Sequence, residues 1–260
     1  MPELHVNGIN IYYEIKGEGF PLVMIMGLGA NMDWWTPELE DKLAKNFKLI
    51  LFDNRGAGRT DAPKEDYTIP LFAKDTVDLM TGLGIEKASI FGISMGGMIA
   101  QQVALSYPER IGKLVLGCTH CGTRHSVLPS PEVLSVLVNP MEMNPERLLN
   151  LLFPEDYIAQ NPGKIQEFIK RYMIAPITPD ALMRQVGAIM AFESHSRLGE
   201  INTPTLVITG DADILIPPEN SKIIAERIPG AKLTVLKGSG HGFTAQEPEI
   251  VSDILLEFLK

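Results

Sequence analysis

The sequence predicts an α/β fold: a mostly parallel central sheet flanked by helices, with a helical segment inserted in its second half. Three observations lead there. Short apolar runs with the length of buried strands alternate with segments of helical period along most of the chain. One run passes through a serine set among glycines, Phe91-Gly92-Ile93-Ser94-Met95-Gly96-Gly97, straight into a helical segment. From about residue 122 to 198 the strand-like runs stop and proline-headed helix starts take over.

The chain opens on two strand-like stretches, residues 3–6 and 11–15, around Asn7-Gly8, a strong turn signal whose link is slightly longer than the tightest hairpin. Residues 22–26 are an unbroken apolar run and read as the first buried strand, ending in Gly27-Leu28-Gly29. Thr36-Pro37-Glu38 supplies an N-cap, a first-turn proline and an acid, so a helix should run to about Lys45. Residues 48–52 form the next strand, closing in Asp53-Asn54-Arg55-Gly56-Ala57-Gly58-Arg59.

The spacing then predicts a helix over 72–83, a strand over 87–91, a helix over 95–106 and a strand over 113–116. Within 122–198, Ser130-Pro131-Glu132, Asn144-Pro145-Glu146 and Thr178-Pro179-Asp180 each place a cap before a first-turn proline and an acid. Five methionines there, Met141, Met143, Met173, Met183 and Met190, suit either adaptable contact with apolar ligands or ordinary packing. Strands at 205–209 and 232–236 flank a helix from Pro217-Pro218-Glu219 to about Arg227, and the last helix puts Ile250, Val251, Ile254, Leu255, Phe258 and Leu259 on one face. Without an internal repeat, this order is that of a single domain over residues 1–260, and the helical insertion reads as a lid over the carboxyl ends of the strands, where such sheets bind ligands.

Composition narrows the function. The chain has 260 residues and 45% hydrophobic side chains, enough for a sizeable core. A net charge of −9 with no cluster of Lys and Arg argues against a nucleic-acid or anionic-membrane partner. The start, Met1-Pro2-Glu3-Leu4-His5, lacks a basic stretch followed by an apolar one, and no apolar run is long enough to span a bilayer, so the expectation is a soluble cytoplasmic protein. These features leave the oligomeric state open. The two cysteines, Cys118 and Cys121, have no second ligand pair and read as small residues near a strand end. The loop at 53–59 lacks the P-loop lysine and the full G-x-G-x-x-G register, so it reads as a tight charged turn; neither a cofactor nor a metal is expected.

The serine carries the chemistry. A sharp strand-to-helix turn would push Ser94 out at the carboxyl end of the sheet, with Gly92, Gly96 and Gly97 removing side chains where the segments crowd. The helix after it aims its first amides and dipole at the serine's oxygen. A serine hydroxyl needs a base, and downstream stand Asp211 and Asp213 just past a strand and His241 in a glycine-rich loop.

With those residues in view, the chain resembles the α/β-hydrolase fold family over essentially its whole length. The resemblance rests on Gly92-Ile93-Ser94-Met95-Gly96, on the order Ser94, Asp213, His241, and on Asp53-Asn54-Arg55-Gly56-Ala57-Gly58. It implies Ser94 as nucleophile, His241 as base and Asp213 as its orienting acid, with Asp211 the competitor for that last role. It also implies an oxyanion hole made by the backbone N–H groups of Leu28 and Met95. Relatives often carry His-Gly where this chain has Met26-Gly27; the donors are main-chain groups, so the hole should survive.

The nearest likeness is to capped esterases and lactonases, implying a carboxylic-ester hydrolase acting on small to medium, largely apolar esters or lactones. Carbon-carbon bond hydrolases, perhydrolases and slow-turnover small-molecule receptors share the pattern and stand as alternatives. Of the other histidines, His5 lies in the hairpin, and His120, His125 and His195, in or beside the lid, read as surface or packing residues, although a lid histidine could touch substrate. Trp34 and Trp35 cannot easily share one face, so at most one lines a pocket and the other is structural.

Overall fold

In the computed structural model, which describes residues 2–138 and 144–260, Asn7 and Gly8 turn the chain between β1 (Glu3–Val6) and β2 (Ile9–Lys16) with φ of 48° and 77°. Val6 pairs with Ile9, so the link is a two-residue hairpin with both central residues left-handed. It is shorter than the sequence implied because β2 starts earlier, at Ile9, whose buried side chain (2% exposed) secures the register.

The other strands are β3 (Phe20–Ile25), β4 (Phe47–Phe52), β5 (Ala88–Ile93), β6 (Ile111–Gly117), β7 (Thr205–Gly210) and β8 (Lys232–Leu236). They form one eight-stranded sheet in the order β1-β2-β4-β3-β5-β6-β7-β8. β1 and β2 join antiparallel, and every pair from β4 to β8 is parallel. Parallel strands need covering on both faces, and the period of two sorts the side chains accordingly. Val23 and Ile25 of β3 pack into one core, with Leu22 and Met24 in the other.

The first core is covered by α2 (Ile69–Gly82), α3 (Met95–Ser106) and α9 (Glu219–Arg227) through Val77, Ile99 and Ile224. The second is covered by α1 (Pro37–Ala44) and α11 (Pro248–Leu259) through Leu39, Leu43, Val251 and Leu255. Helix α2 starts before the expected 72 because the Thr68 hydroxyl accepts the Leu71 N–H at 3.2 Å and Pro70 stands in the first turn. The last helical stretch is two helices, α10 (Phe243–Gln246) and α11, since Pro248 has no N–H to continue the first.

Between β6 and β7 lie α4 (Pro131–Val138), α5 (Pro145–Leu152), α6 (Glu155–Gln160), α7 (Pro162–Tyr172) and α8 (Pro179–Ala191). Asn144 and Thr178 cap α5 and α8, accepting from Arg147 N at 2.9 Å and Ala181 N at 3.3 Å. Leu149, Leu152, Phe153, Ile165 and Phe168 give this segment a core of its own. Met141 and Met143 lie outside the described residues. Among the described residues, no helix is long and apolar enough to cross a membrane.

Candidate functional site

β5 enters α3 through Ser94, whose φ of 55° and ψ of −122° are sterically costly for a residue with a β-carbon. Its surroundings hold it there. The Ser94 N–H donates to Gly117 O at 2.9 Å and its carbonyl accepts from Thr119 Oγ1 at 2.7 Å. A β-carbon on Gly92 would run into the Gly96 carbonyl, and one on Gly96 into the carbonyl of Ile25, so strand, turn and helix approach this closely only through glycine.

Asp213 and His241 come from loops at the carboxyl ends of β7 and β8, and the fold pairs them. Asp213 Oδ2 lies 2.8 Å from His241 Nδ1, while Oδ1 accepts the N–H groups of Leu215 and Ile216, both at 2.9 Å. Asp213 is 4% exposed and His241 7%. Asp211 instead accepts the Gly238 N–H at 2.6 Å and ties two loops together. Gln246 fixes the histidine loop, accepting from Gly240 N at 3.0 Å and donating to Gly238 O at 2.9 Å. Burial opposes charging His241, but the facing Asp213 carboxylate outweighs it and holds the imidazole's pKa well above the usual value.

Cys118, a residue the sequence placed in simple packing, stands beside this pair, with Sγ 3.9 Å from His241 Nε2. Burial pushes its thiol pKa up, so it faces the ring as a neutral group. Cys118, Asp213 and His241 are the group among the described residues whose ligand atoms lie close enough for a metal. Their chemistry does not fit one: both carboxylate oxygens are taken by N–H groups or the imidazole, and the thiol is kept protonated.

Met95 follows Ser94 directly, and Leu28 follows Gly27, whose β-carbon position lies 2.9 Å from that of Ser94. Met95 opens α3, where helix geometry supplies no intrahelical acceptor for its N–H. Next to Leu28, the Gly29 N–H donates to Gln185 Oε1 at 2.8 Å and the Ala30 N–H to Gly27 O at 3.3 Å. The loop is fastened by the charged turn after β4. Asn54 Nδ2 donates to Met26 O at 2.9 Å, and Asp53 Oδ1 accepts the Met32 N–H at 2.8 Å while Arg59 N donates to Oδ2 at 2.8 Å. Arg55 in that turn is buried in a two-pronged pair with Asp75, Nε to Oδ2 at 2.8 Å and Nη2 to Oδ1 at 2.7 Å.

Ser94, Leu28 and His241 line one cavity of about 420 Å³, roofed by apolar side chains of the β6–β7 helices, among them Leu152, Phe168, Leu182 and Ile189. Trp34 lines it, its ring 5.3 Å from that of Phe168, whereas Trp35 is fully buried against Phe91 at 5.3 Å. Met173, Met183 and Met190 are all exposed, and of the three Met190 also lines the cavity. Two contributors lacked a sequence signal: Gln185 of α8, fully buried and bridging Gly29 to Arg55 O at 3.1 Å, and Cys118. Both act across long sequence separations that no local pattern marks.

Comparison with known proteins agrees with this architecture. The profile of the alpha/beta hydrolase fold matches residues 21–160, and that of a TAP-like protein matches residues 184–260. The chain belongs to the α/β-hydrolase family. It is 32% identical to a poly(3-hydroxyalkanoate) depolymerase of Ectopseudomonas oleovorans, over 92% of this chain and 84% of that one. It is 28% identical to a RutD protein of Azorhizobium caulinodans, provisionally named a carbamate hydrolase, over 99% and 98% of the two chains. It superposes on the crystal structure of the enol-lactonase from Burkholderia xenovorans LB400 with a TM-score of 0.88 and 26% identity, covering 99% of both. These relatives make it a hydrolase by family and fold.

Proposed function

We propose that the protein is a serine hydrolase that cleaves small to medium, largely apolar carboxylic esters or lactones through an acyl-enzyme, with Ser94, His241 and Asp213 as its triad. The observation that carries this reading is the 2.8 Å contact of Asp213 Oδ2 with His241 Nδ1 at the wall of the cavity that also exposes the strained Ser94. With Nδ1–H held by Asp213, the neutral ring presents Nε2 as an acceptor. It takes the Ser94 proton as Oγ attacks the ester carbon, then returns it to the departing alkoxide. Water repeats the sequence on the acyl-enzyme and releases the acid.

The amides of Leu28 and Met95 stabilise the oxyanion, a donor of this kind contributing about 10²–10³ in rate. An apolar roof excludes water and favours carbon-rich acyl and alcohol groups. That roof supports reading the β6–β7 helices as a lid. The depolymerase and the enol-lactonase, both named for substrates cleaved at an ester bond, support esters over other acyl compounds. The partner is thus a small molecule, and neither nucleic acid nor membrane enters the reading.

The test is turnover of a chain-length series of chromogenic acyl esters by the native protein and by Ser94→Ala. Hydrolysis lost in the variant is the expected result. A folded native protein inert toward the whole series, yet active on a carbon-carbon or carbamate substrate, would overturn the ester assignment.

A further inference from the structure

The cavity wall also carries a histidine that the proposed chemistry does not use. His120 lines the cavity, and its Nδ1 accepts the Gly122 N–H at 3.1 Å. An imidazole whose Nδ1 accepts carries its single proton on Nε2 when neutral. Nε2 has no partner among the described residues, so this N–H is a donor without an acceptor on a residue of a largely apolar cavity wall. Burial pulls the ring's pKa down to about 4, so the single-proton form holds across the neutral range.

The other polar groups nearby are spoken for or indifferent. Ser126 Oγ donates to Gly122 O at 2.5 Å, and the Asn220 amide is exchanged with the backbone of Val127 at 2.9 and 2.8 Å. The Thr123 hydroxyl rotates and serves donors and acceptors alike. His120 is also held in place relative to the serine. Its carbonyl accepts from Gln101 Nε2 of α3 at 3.1 Å, and Gln101 Oε1 accepts in turn from Ser194 Oγ at 2.8 Å. The preceding residue, Thr119, bonds the Ser94 carbonyl.

We propose that His120 Nε2–H is a specificity-determining donor that selects substrates carrying a second hydrogen-bond acceptor, a ketone, ether or ester oxygen, a few atoms from the reacting carbonyl. The proposal deepens the ester-hydrolase reading and rests on it for the reacting carbonyl. One residue, Thr119, separates His120 from Cys118, which touches His241, and over two residue steps an extended chain spans at most about 7 Å between α-carbons. His120 therefore stands on the segment that touches the Asp213–His241 pair, and the position of the favoured oxygen reads the spacing. A site with a buried donor discriminates against an analogue that leaves it unpaired more strongly than an apolar wall discriminates by size.

The experiment compares methyl hexanoate with its 3-, 4- and 5-oxo derivatives, and butyl hexanoate with the 2-methoxyethyl ester, so both sides of the scissile bond are sampled. The expected result is a preference in kcat/KM of roughly tenfold for one oxygen position, the discrimination that one neutral hydrogen bond provides. In His120→Asn the short side chain still accepts the Gly122 N–H two residues on, as such side chains do in turns, but the far-side donor is gone. The preference should vanish there through a rise in KM for the favoured substrate, with the plain ester within about threefold of native.

The same substrates binding to Ser94→Ala, with and without His120→Asn, report the selectivity without turnover, so a failure of the ester chemistry and a failure of this assignment are read separately. Nitrogen-15 spectra of labelled histidine should show the Nε2–H tautomer for His120. Selectivity unchanged in His120→Asn, no preference at any position in either binding or turnover, or an Nδ1–H tautomer would each overturn the proposal.

Discussion

A β-carbon built on Gly27 would stand 2.9 Å from the β-carbon of Ser94 and 3.4 Å from its Oγ. The loop after β3 and the turn after β5 therefore meet with no room for a methyl group between them. Gly27→Ala should push the two segments apart. Overpacking of this kind costs about 1–3 kcal/mol of stability, and a displacement near 1 Å at reacting groups costs about 10² in rate. Esterase kinetics beside a denaturation curve check both numbers; an alanine variant with native kcat/KM would show that the loop yields freely.

Turnover should follow the charge of His241. With the imidazole's pKa held above its ordinary value by Asp213, the neutral base appears only as pH rises through that higher value. The rate should climb with pH, with a midpoint above about 6.5, the value of a free histidine. Asp213→Asn removes the opposing charge, so its midpoint should fall, while kcat drops by about 10⁴ as the tautomer is lost. Stability runs the opposite way with pH. A pKa raised on folding contributes stability fully present below the unfolded histidine's pKa and lost as pH rises through the folded one. Melting temperatures of native protein and Asp213→Asn across that window should converge toward alkaline pH.

Arg55 and Asp75 are both about 2% exposed and bonded through two prongs, with Asn7 Nδ2 adding a third contact to Asp75 at 2.6 Å. Arg55→Met leaves a buried carboxylate without its cation, which costs about 3–5 kcal/mol. Arg55→Lys should recover only part of this, because an ammonium cannot form the paired fork. Urea denaturation of the two variants measures the difference.

Gln185 holds the proposed lid helix α8 to the proposed oxyanion loop, and its own side chain is fully buried. Gln185→Leu strands the Gly29 N–H and the Arg55 carbonyl, each orphaned group costing about 1–3 kcal/mol. Because Gly29 adjoins Leu28, the variant should also lose kcat, with esterase activity falling further than KM rises. An unchanged kcat in a destabilised protein would confine Gln185 to a structural role.

What the sequence determined by itself is everything written in local pattern. The alternation of strand and helix, the glycine-flanked serine, the caps at Thr36, Asn144 and Thr178, and the order of Ser94, Asp213 and His241 were all readable, because strand and helix periods and turn sterics act over a few residues. The departures were end effects too: β2 begins at Ile9 and not at residue 11, held by that residue's buried side chain, and α2 begins before 72 under the Thr68 cap.

Only the tertiary structure shows that Asp213 meets the His241 ring while Asp211 meets the Gly238 N–H, since the two differ in which loop they face and not in their neighbours along the chain. The same holds for Trp34 in the cavity and Trp35 in the core. Cys118 against His241 and Gln185 against Gly29 are likewise contacts between segments brought together by sheet order, which also puts His120 at the cavity wall. Local sequence sets what each segment is, while the burial of both sheet faces sets which segments meet, and the geometry of the candidate site is made by those meetings.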